Sequence, residues 1–207
     1  HTLSLLDALP ISLTRVRVLK ADGRDDFVQA DEPAYAMGLS VNSEPDTDWL
    51  RYSYTSLATP ATTYEVNTRT GERRLLKQQP VLGYDPAKYT TERLWVTARD
   101  GTKVPVSLVY KNGFKKDGTA ALLQYGYGSY GISMEASFSI RNFSLVDRGW
   151  IYAIAHIRGG SDKGWSWFLA ARRMTKKNTF TDFIAAAEHL IGRKYATAGN
   201  IVAQGGS

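Results

Sequence analysis

Between Trp150 and Ala203 the chain reads strand, helix, strand, and that order restricts the fold more than any other feature of the sequence. Trp150-Ile151-Tyr152-Ala153-Ile154-Ala155 is an uninterrupted apolar run, as a strand buried on both faces of a sheet requires. The spacing of Phe180, Phe183, Ile184, Ala187, Leu190 and Ile191 predicts an amphipathic helix from about Thr179 to Gly192, with Asn178 as its cap. Ile201-Val202-Ala203 predicts a short buried strand after it. Such a unit forms a parallel crossover, which places this part of the chain in the α/β class. Ala120-Ala121-Leu122-Leu123 supplies a further buried strand.

Upstream the grammar differs. Glu92–Ala98 and Lys103–Tyr110 flank an Asp100-Gly101 turn and predict a hairpin. Pro105 within the second run predicts a sheet edge or a bulge there. Pro80–Pro86 reads as a linker, and before it the pattern is purely β. Leu13–Leu19, Ala36–Val41, Trp49–Thr55, Thr62–Asn67 and Arg73–Leu76 alternate apolar and polar residues or follow tight turns, as strands of antiparallel propeller blades do. So few strands cannot close a propeller ring. The expected organisation is therefore a β-propeller portion over residues 13–79, then a mainly parallel, partial α/β-hydrolase-type sheet over residues 80–207.

Both ends carry their own signals. His1–Ser12 has an apolar stretch broken by Asp7 with no basic residue before it, which disfavours a signal peptide. It resembles a translated sequencing adapter and is set aside as an artefactual leader. Gln204-Gly205-Gly206-Ser207 stops on residues that belong inside a turn, so the chain is expected to be a fragment of a longer gene.

Composition excludes several functions. With 43% hydrophobic and 22% charged residues the chain is neither disordered nor fibrous. No apolar run approaches the roughly 20 residues of a membrane span, so no membrane partner is expected. The absence of cysteine removes disulfides, thiol nucleophiles and thiolate metal sites. The charge is −2 up to Gln79 and +8 from Pro80 onward, a step that fits two units with different surfaces. The densest basic cluster, Arg172 to Lys177, is explained by a solvated helix face or loop, and no nucleic-acid partner is expected.

Three motifs carry chemistry. A strand running into Gly205-Gly206-Ser207 is the first half of a Gly-X-Ser-X-Gly nucleophile elbow, where small neighbours let a strained turn lift the hydroxyl above the sheet edge. Tyr125-Gly126-Tyr127-Gly128-Ser129-Tyr130-Gly131 follows an apolar strand but lacks the residues of a nucleotide-binding loop. In a hydrolase this loop presents a donor to the developing oxyanion, and a tyrosine hydroxyl keeps its proton at neutral pH. His156-Ile157-Arg158-Gly159-Gly160-Ser161-Asp162 forms a second glycine-rich loop. His156 precedes Ser207, against the Ser, acid, His order of α/β-hydrolases, and is read as a buried structural histidine. His189 is read as packed or solvated, and three histidines in all assemble no metal cluster.

Taken together, Tyr125–Gly131, Asp147-Arg148-Gly149, Ile157–Ser161, Lys176–Phe180 and Gly205–Ser207 resemble the prolyl oligopeptidase family, and within it the oligopeptidase B branch. Asp31–Tyr35, Leu50–Tyr54 and Lys77–Pro86 resemble the end of its propeller and the return linker. The resemblance implies a serine peptidase that hydrolyses short peptides, after Arg or Lys in the oligopeptidase B branch, without a cofactor or metal. It implies Ser207 as nucleophile, Tyr127 as an oxyanion donor and Tyr130 as an aromatic near the primary specificity pocket. The family's triad acid and histidine follow its serine, as does the acidic pair that selects basic side chains, so the chain by itself is expected to be inactive. A cytoplasmic location is the accompanying expectation. The sequence departs from the branch at Phe168-Leu169-Ala170-Ala171-Arg172, where Tyr-Glu-Asp-Gly-Lys is usual, and around Ile140–Phe143, which leaves no substrate-contacting arginine assigned.

Overall fold

The computed structural model describes residues 2–8, 13–20 and 23–206. They form two compact units, one comprising residues up to Tyr84 together with Glu135–Phe138, the other comprising Asp85–Met134 and the chain from Ser139 onward. The division at Tyr84 falls within the predicted linker.

The first unit is entirely β. Strands β1 (Thr2–Ala8), β2 (Leu13–Leu19) and β3 (Asp25–Phe27) form an antiparallel three-stranded sheet. The sequence set residues 2–8 aside, whereas the structure pairs them with β2, from Thr2 opposite Leu19 to Ala8 opposite Leu13. Strands β4 (Tyr35–Leu39), β5 (Trp49–Ser56), β6 (Thr62–Asn67) and β7 (Arg73–Gln78) form a four-stranded antiparallel sheet in chain order. Period-2 patterning decides which face is buried. In β5, Leu50, Tyr52, Tyr54 and Ser56 point inward, and the first three pack with Val16, Val18 and Met37. The Glu32 carboxylate accepts bonds from Tyr54 Oη (3.0 Å), Ser56 Oγ (2.6 Å) and Thr59 Oγ1 (2.8 Å). Burial and this neighbouring carboxylate push the Tyr54 phenol far above its ordinary range.

The second unit holds a five-stranded sheet of order β12-β10-β11-β9-β8. Its strands are β8 (Tyr89–Thr97), β9 (Lys103–Lys111), β10 (Leu122–Gly126), β11 (Ile151–Ala155) and β12 (Ile201–Gln204). Helices α1 (Ile140–Val146), α2 (Trp165–Leu169) and α3 (Lys177–Gly192) lie between them in the chain. β10 pairs in parallel with β11 and with β12, while the β8–β9 hairpin joins β11 antiparallel, so the sheet is mixed. Val104, Val106, Leu108, Leu122, Ile151 and Ala153 form its core with Ala185, Ala186 and Leu190 of α3.

Four local expectations change. β9 is an interior strand without a register shift against β8. Pro105 is tolerated because the β9–β11 ladder ends at Val106, and beyond it the Pro105 carbonyl accepts from His156 N (3.0 Å). Among the described residues β12 is the outermost strand beside β10, with Val202 48% exposed, where the sequence alone suggested a buried strand. Asn178 does not cap α3, which begins at Lys177, and instead its Nδ2 donates to Ala170 O (2.8 Å). Finally, α3 is rotated from the face that hydropathy suggests: Phe180 and Ile184 are 60% and 48% exposed, while Thr179, Asp182, Ala186 and Leu190 point inward.

The cause of that rotation is ionic. Asp182 is wholly buried and accepts from Arg158 Nη2 (2.6 Å), Nε (2.8 Å) and backbone N (3.0 Å). A lone buried charge costs far more than an exposed phenylalanine, so the helix turns its carboxylate toward its partner. Asp182→Asn, which leaves Arg158 partly uncompensated, is expected to cost about 3–5 kcal/mol in denaturant unfolding of the intact protein. Replacing both members with apolar residues, Arg158→Met with Asp182→Leu, is expected to recover much of that loss. A wild-type midpoint for Asp182→Asn would show that the pair does not hold the helix.

Candidate active site

The site lies at the carboxyl ends of adjacent parallel strands, where open α/β sheets hold their ligands. Tyr125 of β10 pairs with Gln204 of β12, and the two strands leave the ladder together into Gly126-Tyr127 and Gly205-Gly206. A Cβ added at Gly205 would lie 3.1 Å from the Gly126 carbonyl, so the two backbones run close together. Tyr127, Ser129, Lys176, Phe180, Gly205 and Gly206 are among the residues lining one cavity of about 340 Å³. Ser207 lies outside the described residues.

The loop carrying Tyr127 is fixed by a second glycine-rich loop pressed against it. A Cβ on Gly128 would sit 2.6 Å from both Arg158 O and Thr179 Cγ2, and one on Gly159 would overlap the Gly128 carbonyl. Gly159 has a φ of 103°, and its carbonyl accepts from Gly131 N (3.0 Å). Thr179 Oγ1 donates to Arg158 O (2.8 Å), joining α3 to the same contact. Lys176 Nζ donates to Gly128 O and to Ser129 Oγ (2.7 Å). Lys176 is half-buried, and desolvation pulls its ammonium below the usual lysine range. The sequence assigned the Arg172–Lys177 cluster to a solvated face; Arg172, Arg173 and Lys177 are exposed, but Lys176 turns inward onto the loop.

Tyr130 takes a left-handed φ of 58°, is 77% exposed, and borders a different pocket together with Phe168, Arg172 and Arg173. His156 is a structural residue: 2% exposed, with Nε2 2.8 Å from Ser107 Oγ and Nδ1 3.1 Å from Asp162 Oδ1. Ser107 is itself fully buried and receives Arg93 Nη1 (3.1 Å), so the three side chains of this Ser-His-Asp array are enclosed in the protein. His189 is half-buried on α3, where desolvation and the nearby Arg193 hold its imidazole below the ordinary value. Among the described residues no group of His, Cys, Asp and Glu is placed to hold a metal ion, and no helix is long and apolar enough to cross a membrane.

Comparison with known proteins shows the family. Residues 136–207 match the prolyl oligopeptidase family, and residues 7–79 match the prolyl oligopeptidase N-terminal beta-propeller domain. The chain belongs to the prolyl oligopeptidase family. It is 59% identical over 197 residues to dipeptidyl aminopeptidase BI of Pseudoxanthomonas mexicana, covering 95% of this chain and 27% of that protein. Protease 2 of Moraxella lacunata is 40% identical over 196 residues, covering 94% of this chain and 28% of that protein. Oligopeptidase B from Leishmania major superposes with a TM-score of 0.80 at 40% identity, covering 94% of this chain and 29% of that structure. The chain thus spans little more than a quarter of the length of these curated relatives. The first unit carries propeller strands and the second the hydrolase sheet of the family.

Within this family frame, the residues that the sequence left unnoticed are those that hold the site. Lys176 looked like one member of a basic run, and Asp182 like an ordinary polar residue of a helix. The signal for Asp182 was its place three residues after Thr179 and four before Ala186, on the face made of small residues. Arg158 also donates to Asp100 in the β8–β9 turn (2.6 Å), which holds that carboxyl down at about 2, below its ordinary 3.8.

Two outcomes follow for these contacts. A depressed carboxyl stabilises the fold above its unfolded value and loses that contribution as pH falls. Asp100→Asn is therefore expected to flatten the fall in stability between pH 3.8 and about 2 relative to wild type, read from melting temperatures across that range. Gly128→Ala is expected to destabilise by about 1–3 kcal/mol in denaturant unfolding through forced overpacking.

Proposed function

We propose that the chain carries the nucleophile-bearing part of a serine peptidase that hydrolyses short peptides. The observation that supports this reading is the cavity shared by Tyr127 and Gly205-Gly206 at the carboxyl ends of β10 and β12. Ser207, next in the chain, supplies the hydroxyl. Its oxygen attacks the scissile carbonyl carbon, and the resulting oxyanion accepts a hydrogen bond from the Tyr127 hydroxyl. Collapse of the tetrahedral intermediate expels the amine and leaves an acyl-enzyme, which water hydrolyses to free the carboxylic acid and restore Ser207. Neither described histidine lines the cavity, and both His156 nitrogens are engaged, so neither is the base that takes the Ser207 proton.

Cleavage after Arg or Lys is the specificity we infer from the likeness to oligopeptidase B. The 59% identity with dipeptidyl aminopeptidase BI favours a second reading, removal of dipeptides from a free amino terminus. Matched peptides with free or blocked amino termini, and with Arg, Lys or Pro before the cleaved bond, separate the two.

The nucleophile is tested by fluorophosphonate labelling of the intact protein, with modification expected at Ser207 and none in Ser207→Ala. Tyr127→Phe, which keeps the ring but removes the donor, is expected to lower kcat about 10²-fold with little change in KM. A labelled residue other than Ser207, or full activity in Tyr127→Phe, would overturn the assignment.

A further inference from the structure

Beside the candidate active site lies a second pocket, of about 490 Å³, bordered by Ser129, Tyr130, Phe168, Arg172, Arg173 and Lys176. Ser129 and Lys176 also line the cavity that holds Tyr127, so the two recesses share a wall. Three cations face the second pocket and no carboxylate lines it. Arg172 and Arg173 form no ion pair with a described residue. The Arg172 guanidinium stands 5.6 Å from the centre of the Phe168 ring, which supports it by a cation–π contact. Lys176 spends two of its three donors on Gly128 and Ser129, so it adds field to the pocket while the arginines offer free donors.

The backbone at this pocket is strained. Among the described residues only Tyr130, Arg173 and Lys194 adopt a left-handed φ without being glycine, at 58°, 50° and 61°. Two of the three border this one recess, from different segments of the chain. Left-handed side-chain-bearing residues cost free energy and persist where the surroundings over-determine them, typically at ligand clamps. Here the cost holds an aromatic ring and a guanidinium at one opening.

We propose that this pocket is a subsite for a carboxylate of the peptide substrate, either an acidic side chain or the free carboxyl terminus. The inference rests on the peptidase reading above. Guanidinium forks match a carboxylate in a bidentate manner, and the three cations add their fields at one opening. A lysine or arginine side chain is repelled from such a pocket, so it receives a part of the peptide other than a basic residue before the cleaved bond. The subsite therefore selects short peptides that carry a negative charge within reach of Ser207.

The test compares matched peptides binding to the intact Ser207→Ala protein by calorimetry, so that affinity is read without cleavage. One series exchanges Glu for Gln at each position along the peptide, and the other exchanges a free carboxyl terminus for an amide, which separates the two sources of the charge. One carboxylate peptide is expected to bind about 10-fold tighter than its neutral partner, as for one charge-assisted bond. That ratio is expected to fall to about 1 with Arg172→Gln and Arg173→Gln together, and to persist with Lys115→Gln, a cation outside the pocket. Should the double variant unfold, Arg172→Gln with Arg173→Gly replaces it, because glycine adopts the required φ without strain. Equal affinities throughout, or a ratio unchanged by the arginine variants, would overturn the subsite. If the ratio holds but the wild-type protein cleaves no peptide, the carboxylate pocket stands and the peptidase reading falls.

Discussion

Arg158 donates to Asp182 and Asp100 from a position almost wholly withdrawn from water, and through these bonds it ties three segments together. One is the loop after β11 on which Arg158 sits, another is α3, and the third is the β8–β9 turn. Removing a guanidinium from water is affordable only when carboxylates and hydrogen bonds replace its hydration. The direction in which α3 faces follows from that requirement. With Asp182 turned inward, Thr179 reaches the Arg158 carbonyl and the small side chains of Ala185 and Ala186 meet the sheet.

The same constraint reaches the candidate site. Arg158 precedes Gly159, and the backbone of this loop presses on Gly128 so closely that neither glycine has room for a side chain. Tyr127 is thereby held by neighbours on both sides: Gly126 at the end of β10 and Gly128 against the Arg158 carbonyl. Lys176, at the start of α3, closes the arrangement with its bonds to Gly128 and Ser129. The oxyanion role we propose for Tyr127 calls for a donor that does not have to move to meet the charge, and this packing of the loop backbone favours that. The exposed Phe180 is part of the same logic, since the rotation that buries Asp182 brings its ring to the wall of the cavity.

His156 shows how far geometry alone can mislead. Its two nitrogens contact a serine and an aspartate at hydrogen-bonding distance, the arrangement expected of a nucleophilic triad. All three groups are buried, and the serine also receives a guanidinium from Arg93, so the array satisfies a polar core instead of meeting a substrate. Access and partners, more than the identity of the three residues, decide what such a cluster does.

Much of the architecture was legible from residue order alone. Alternating residues marked β2, β4 and β5, the Asp100-Gly101 pair marked the β8–β9 hairpin, and continuous apolar runs marked β10 and β11, because solvent exposure on one face or neither leaves a direct imprint on hydropathy. The glycine-rich loops at Tyr125–Gly131 and Ile157–Ser161 were equally plain, and with them the family. What hydropathy could not carry was pairing. Short β3, with two aspartates, has no apolar pattern to read. The face of α3, the inward turn of Lys176 and the role of Asp182 were decided only in three dimensions, since a charged residue is stable inside a protein only when a distant segment brings it a partner.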